Sequence, residues 1–194
     1  MTLATSELIL GGQKSGKSRR AELLARDWLA MSPDHRALLI ATAQPWDDEM
    51  RARIARHQQD RAQRVPGLAT LEEPHDLATA ITRHGAAHTL IVVDCLTLWL
   101  TNHLMPLQQE SRPNRPPAHD WQAQAAIFLE AIRQSPGPVV LVGNEIGLGV
   151  IPMGREVRAF VDALGMLNQQ VAQACERVTL MAAGLPLTLK DVSR

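Results

Sequence analysis

Eight residues near the start of the chain have the types and spacing of a phosphate-binding loop. Residues 11–18 are GGQKSGKS and fit the pattern G-x-x-x-x-G-K-[ST]. Glycines in such a loop let backbone N–H groups converge on phosphate oxygens, and the helix that follows adds a favourable dipole. We expect Lys17 to reach the β- and γ-phosphates and the Ser18 hydroxyl to bind Mg²⁺. The pattern therefore predicts chemistry on nucleotide phosphates, with a glycine-rich turn that binds nothing as the alternative.

One acidic residue is placed to complete a magnesium site beside this loop. Asp94 directly follows the apolar stretch Leu90–Val93, as the second acidic residue of phosphate-loop enzymes does. It could hold Mg²⁺ directly or through water. An aspartate at a strand end also serves as a turn former or a helix cap. Because a phosphate loop is present, we favour metal binding and predict Ser18 and Asp94 as the Mg²⁺ ligands.

A histidine between two arginines is the candidate nucleophile. The stretch Asp47–Arg61 begins with acidic residues, which suit a helix N-terminus. In that helix Arg53 and Arg61 lie one turn on either side of His57. Two cations beside an imidazole bind anions and keep the ring neutral and nucleophilic, so it could attack the α-phosphorus of a nucleoside triphosphate. The alternative is a half-buried histidine at the end of an inward-facing apolar stripe.

The elements that must position these residues alternate between strands and helices. Helices are predicted over Ser18–Ala30, with an apolar face that includes Leu24 and Trp28, and over Asp47–Arg61. Continuously apolar strands are typical of parallel sheets covered on both faces, so we expect a three-layer α/β fold in a single domain over residues 1–194. The predicted strands are Glu7–Leu10, Ala37–Ile40, Leu90–Val93, Val139–Val142 and Val178–Met181, with Leu187–Leu189 as a further candidate.

Ligands of such sheets bind beyond the carboxyl ends of the strands. Four places in the sequence meet this condition: Gly11 onward, Ala41-Thr42, Asp94, and Asn144-Glu145. For Asn144-Glu145, a polar role near the substrate and a structural turn are equally supported.

Composition excludes several classes of function. Lys+Arg and Asp+Glu balance at 20 each, which argues against a surface devoted to nucleic-acid phosphates. Aromatic residues make up only 3% of the 194 residues, too few for a platform that stacks single-stranded bases. We expect no membrane span and no signal peptide. Cys95 and Cys175 have no metal-ligand spacing and are predicted to be reduced thiols of a cytoplasmic protein.

Other features are predicted to be peripheral. The proline-containing segment Leu104–His119 predicts a mobile surface excursion. No Asn-Lys-x-Asp guanine-reading signature is present, which argues against a Ras-like switch GTPase. The classes that remain are a small kinase, a nucleotidyltransferase and a non-catalytic nucleotide sensor. The remaining histidines are predicted to be solvated: His35, His75, His84, His88, His103 and His119.

Beyond these local motifs, the chain resembles the bifunctional adenosylcobinamide kinase / adenosylcobinamide-phosphate guanylyltransferase family of cobalamin biosynthesis. The resemblance runs in family order over nearly the whole chain, and its most distinctive stretches are Asp94–Asn102 and Asn144–Pro152. The other matching stretches are Gly11–Ser18, Ile40–Ala43, Asp48–His57, Glu72–Pro74 and Gly165–Gln169.

The resemblance implies a RecA-like P-loop NTPase fold, a homotrimer and two reactions. In the first, ATP or GTP phosphorylates the aminopropanol hydroxyl of adenosylcobinamide. In the second, GMP passes from GTP through a guanylyl-histidine to that phosphate, giving adenosyl-GDP-cobinamide and pyrophosphate. The family's guanylylated histidine corresponds to His57. Its nucleotide contacts correspond to Gly11, Gly12, Gln13, Lys14, Ser15, Gly16, Lys17, Ser18, Ala41, Thr42, Ala43, Gln58, Gln59, Asp60, Arg61, Glu72 and Asp94.

Three positions depart from the family pattern. Gln13-Lys14 stands where Ala-Arg is common, Leu39 where an aromatic residue is usual, and Val161 where an arginine is frequent.

Two other functions stay open: a kinase that acts only on another small alcohol, and a regulator that binds a nucleotide without consuming it.

Overall fold

The computed structural model describes residues 3–45, 47–105, 121–150 and 154–192. Most of the predicted excursion Leu104–His119 lies outside these residues. The strands are β1 Ser6–Gly11, β2 Arg36–Ala41, β3 Leu68–Glu72, β4 Thr89–Asp94, β5 Val139–Val142, β6 Arg177–Ala182 and β7 Leu185–Asp191. The helices are α1 Lys17–Met31, α2 Asp48–Arg64, α3 Leu77–His84, α4 Leu96–Leu104, α5 Trp121–Gln134 and α6 Arg155–Ala174.

All seven strands form one sheet in the order β3-β2-β4-β5-β1-β6-β7. Every neighbouring pair is parallel except β6 and β7, which pair antiparallel at one edge. The prediction of an α/β fold with a mostly parallel sheet is confirmed. The strand β3 was not predicted, because as an edge strand it is only half-buried and carries Thr70 and Glu72 among its apolar residues.

Two apolar cores lie on opposite faces of the sheet. Successive residues of β1 point to opposite faces, so Leu8 packs in one core with Trp99 and Phe128, while Ile9 packs in the other with Leu24 of α1. The first core contains residues of α3, α4, α5 and α6. Helices therefore cover both faces, as the continuously apolar strands predict, and the sequence-predicted inner face of α1 is the one that packs on the sheet.

Candidate active site

The four predicted ligand-binding places meet at one edge of the sheet. In the strand register Ala41 lies beside Asp94, and both Asp94 and Ile9 lie beside Val142. The segments that follow β1, β2, β4 and β5 therefore leave the sheet side by side. The strand β5 lies between β1 and β4, so Asn144-Glu145 extends from the sheet between the phosphate-loop strand and the strand that ends at Asp94.

Residues 11–16 form a tight loop that runs directly into α1. Gly11 and Gly16 have φ of 153° and 100°, a region in which L side chains are strained. A Cβ on Gly11 would also lie 2.6 Å from the Met181 carbonyl oxygen. The turn between β6 and β7 supports the loop from outside, since the Gly184 N–H donates to the Ser15 carbonyl at 3.1 Å. Both glycines are therefore required by the backbone path and by close packing against β6 and the turn after it.

The Lys17 ammonium lies within the loop. Its Nζ donates to the Gly12 carbonyl at 2.6 Å, and the residue is buried. Burial lowers the pKa of Lys17, and this effect is opposed by the nearby Cys95 and Asp94. Since the Asp94 carboxylate acts on Lys17, the structure brings the predicted phosphate-binding cation and the predicted metal ligand together.

The thiol of Cys95 is not a candidate nucleophile. Burial, and then the charge of Asp94, raise its pKa to about 12. A thiol with this pKa stays protonated at neutral pH, and the thiolate is the reactive form. Cys95 and Cys175 are both free, as predicted.

Thr42 holds the start of α4 against the end of β2. Its hydroxyl donates to the Cys95 carbonyl at 2.7 Å and accepts from the Cys95 N–H at 2.8 Å. Its own N–H donates to the Asp94 carbonyl, and its carbonyl accepts from the Asn102 amide. Thr42 is fully buried. All its polar groups are thus used to position the Asp94–Cys95 turn, while Ala41 and Ala43 beside it are half-buried.

The segment Asn144-Glu145 is fixed from three sides. The Glu145 N–H donates to the Gly11 carbonyl at 3.1 Å, and the Asn144 N–H donates to the Thr97 hydroxyl at 2.9 Å. The Asn168 amide donates to the Asn144 carbonyl at 3.0 Å and lies 3.4 Å from Glu145 Oε2. Asn168, on α6, was missed by sequence reasoning. The sequence feature that could have identified Asn168 is a polar residue between Leu167 and Val171 in an otherwise apolar helical stripe.

Helix α2, which carries His57, begins at a well-formed cap. The Asp47 side chain accepts from the Met50 N–H at 2.7 Å. The side chains of Arg53 and His57 are outside the described residues. Gln58, directly after His57, donates to the Glu72 carboxylate at 3.2 Å, so the structure brings these two predicted site residues together. Gln59 and Asp60 are exposed.

The C-terminal turn of α2 is joined to α1 by an ion cluster in which Glu22 and Arg61 are buried and Arg64 is exposed. Arg64 Nη1 lies 2.5 Å from Glu22 Oε2, and Arg61 Nε lies 3.8 Å from Glu22 Oε1. Arg61 also donates to the Thr70 hydroxyl at 3.0 Å and is only 8% exposed. Burial raises the pKa of Glu22, and the two arginines oppose that shift. In the structure Arg61 joins α1, α2 and β3, whereas the sequence predicted it as one of two cations that flank His57 and bind anions.

The prediction that the other histidines are solvated is wrong for three of them. His35 stacks on Trp28 with ring centroids 3.7 Å apart. His103 packs edge-on against Trp99, and His75 against His103. Each of these histidines packs against another ring, and only the contact between His75 and His103 joins residues that are distant in sequence. His84 and His88 are exposed as predicted, and His119 is outside the described residues.

The described side chains include no group of three His, Cys, Asp or Glu residues suited to a metal ion. A Mg²⁺ ion bound through one or two protein oxygens and substrate phosphates needs no such group. Ser18 and Asp94 supply hard oxygen ligands of that kind, and both are half-buried at the loop. Within the described ranges, no helix is long and apolar enough to cross a bilayer.

Comparisons with known proteins agree on one family. Residues 7–189 match the family described as cobinamide kinase / cobinamide phosphate guanyltransferase. The bifunctional adenosylcobalamin biosynthesis protein CobP of Pseudomonas aeruginosa is 46% identical, over 95% of this chain and 96% of its own length. The CobU proteins of Salmonella typhimurium and Escherichia coli, of the same description, are 37% and 35% identical, each over 94% of this chain and 98% of their own length. A solved Pyrococcus horikoshii protein shares the fold, with a TM-score of 0.51 at 8% identity over 98% of this chain and 89% of its own.

Proposed function

The chain belongs to the cobinamide kinase / cobinamide phosphate guanyltransferase family, and we propose that it performs both reactions on one nucleotide site. It is an enzyme of cobalamin biosynthesis that phosphorylates adenosylcobinamide and then transfers GMP from GTP to the product. The phosphate loop is the observation that carries this proposal, because both reactions break a bond to a nucleotide phosphorus. The loop is also the only phosphate-binding motif found in the sequence.

The loop would bind the nucleotide through its backbone. Amide groups of residues 12–18 converge on the phosphates, and the start of α1 adds its dipole. Lys17, already inside the loop, would move its ammonium from the Gly12 carbonyl to the phosphate oxygens. In both reactions it would stabilise the negative charge that develops on those oxygens.

Ser18 and Asp94 would hold Mg²⁺. The ion, when bound, neutralises phosphate charge and orients the leaving group. Asp94 suits this role because its charge acts on the Lys17 ammonium, beside which a nucleotide phosphate would lie. The hydroxyl of Ser18 belongs to the first turn of α1, directly after the loop.

His57 would be the covalent nucleophile of the second reaction. Attack of its ring nitrogen on the α-phosphorus of GTP expels pyrophosphate, and an oxygen of the acceptor phosphate then displaces the histidine. The remaining nucleotide contacts would come from Ala41 and Ala43, from Gln58, Gln59 and Asp60, and from Glu72. Thr42 and Arg61, which are buried and bond to other protein residues, would position these contacts. Their places after β2, on α2 and at the end of β3 support a nucleotide that extends from the loop towards β3.

The whole assignment implies a single transferase domain over residues 1–194. A homotrimeric assembly and a cytoplasmic location also follow from the resemblance. Sedimentation of the purified protein would test the assembly.

The cheapest test of the function is to incubate the pure protein with GTP and measure pyrophosphate. We expect one pyrophosphate per active site without a corrinoid, and continued release when adenosylcobinamide phosphate is added. A kinase that acts only on another alcohol would release none, and a nucleotide-binding regulator would bind GTP and leave it intact.

The Glu22 cluster gives a selective prediction about the second reaction. Glu22→Gln removes the charge that holds Arg61 and Arg64. Because these ion pairs fix α2 against α1, their loss should displace His57 from its position relative to the nucleotide. We expect the rate at which the enzyme takes up GMP at saturating GTP to fall about tenfold to a hundredfold. Kinase activity should stay near wild type, because it needs the loop and not His57. Glu130→Gln, which changes an exposed glutamate on α5, is the matched control. An equal fall in both activities would contradict this role.

A further inference from the structure

The first reaction needs a group that the second does not. Its acceptor is a hydroxyl, which must lose a proton as its oxygen bonds to phosphorus. The acceptor of the second reaction is a phosphate, whose oxygens are already ionised. A base that serves only the kinase step must therefore lie near the γ-phosphate end of the phosphate loop.

Carboxylates at this edge of the sheet lie at different distances from the loop. Neighbouring strands are about 4.8 Å apart, so Glu72 at the end of β3 lies four spacings, about 19 Å, from β1. Asp94 ends β4, and its charge acts on Lys17, which suits the role of metal ligand proposed for it. Glu145 follows β5, which lies directly beside β1. Its N–H is bonded to Gly11, the first residue of the loop.

The surroundings of Glu145 leave its carboxylate accessible. Among the described residues no lysine or arginine forms an ion pair with it, and its partner is the neutral amide of Asn168 at 3.4 Å. Asn168 is itself 4% exposed, so this partner is fixed in place. Gly147 adds no side chain over the carboxylate, since a Cβ there would lie 3.4 Å from Oε1. Glu145 is half-buried, so part of it is open to solvent, and it directly follows β5 at the edge where substrates are expected to bind.

We propose that Glu145 is the general base of the kinase reaction, an inference that rests on the proposed function. The O–H bond of the acceptor breaks, and its proton passes to a Glu145 carboxylate oxygen. The hydroxyl oxygen bonds to the γ-phosphorus as the bond to the bridging oxygen breaks, and nucleoside diphosphate leaves. Asn168 is a positioning residue that orients Glu145.

The test measures both activities of the Glu145→Gln protein. Kinase activity is followed by transfer of γ-phosphate label from ATP to adenosylcobinamide. Guanylyl transfer is followed by pyrophosphate release from GTP with preformed adenosylcobinamide phosphate. We expect the kinase kcat to fall about a hundredfold to ten-thousandfold, with guanylyl transfer within about twofold of wild type. Glu145→Asp should restore part of the kinase activity, and Glu130→Gln should change neither.

Each other outcome overturns the assignment. Undiminished kinase activity in Glu145→Gln would show that another group takes the proton. Loss of both activities would show that Glu145 supports the shared nucleotide site. Failure of the proposed function is distinct, because the wild-type protein itself would then lack one of the two activities.

Discussion

The His57→Ala protein is expected to retain no label from GTP that carries its label in the α-phosphate. The wild-type protein should keep this label after denaturation, because attack at the α-phosphorus leaves GMP on the histidine nitrogen. Label in the γ-phosphate should leave with pyrophosphate. The bond should be a phosphoramidate, labile in acid and stable in alkali, unlike a phosphoserine ester. Scintillation counting of the denatured, washed protein measures the result.

Two further variants make this result specific. The His57→Asn protein should also retain no α-phosphate label, because an amide nitrogen is not nucleophilic. His84→Ala, which removes an exposed histidine on α3, should label as the wild type does. All three variants should still bind GTP, since the loop and Lys17 are untouched. If α-label still attaches to the His57→Ala protein, another residue is the nucleophile.

Replacement of Lys17 by alanine should strongly reduce the rates of both the kinase reaction and guanylyl transfer. Loss of one preorganised donor to a developing oxyanion costs about a hundredfold to a thousandfold in rate. Here the donor is a buried cation that each reaction uses. Kinase and guanylyl transfer, assayed separately at saturating nucleotide, should fall by similar factors.

A cation elsewhere on the same helix is the control for Lys17. Arg26 lies on the exposed face of α1 and pairs with its neighbour Asp27. Arg26→Ala should leave both rates near wild type. If Lys17→Ala loses only one activity, the protein has a second nucleotide site.

The centre of the sheet was predictable because it is buried on both faces. The strands β1, β2, β4 and β5 appear in the sequence as short apolar runs, and the end of each lies at or beside one of the four predicted ligand-binding places. The half-exposed β3 has no such run. The phosphate loop was also predictable, since its function depends on local backbone shape and thus on local sequence.

The ion cluster that connects α1 to α2 was not predictable from the sequence. Helical periodicity shows which residues share a face, and it placed Arg61 one turn from His57 on α2. It does not show which distant residue that face will meet. Glu22 and Arg64 are 42 positions apart, and nothing near Glu22 in the sequence distinguishes it from an exposed glutamate of an amphipathic helix.

The place of β1 within the sheet governs the order in which this chain can fold as it is synthesised. Among the described strands, β1 hydrogen-bonds only to β5 and β6, and both are synthesised after β2, β3 and β4. The Glu7 carboxylate, for example, accepts from the Thr179 hydroxyl 172 positions later. At a synthesis rate of about 5–20 residues per second, the β6–β7 turn that supports the phosphate loop is made roughly ten seconds or more after the loop itself. A nascent chain therefore carries its nucleotide-binding motif long before it can bind a nucleotide, and contacts of such long range predict slow folding.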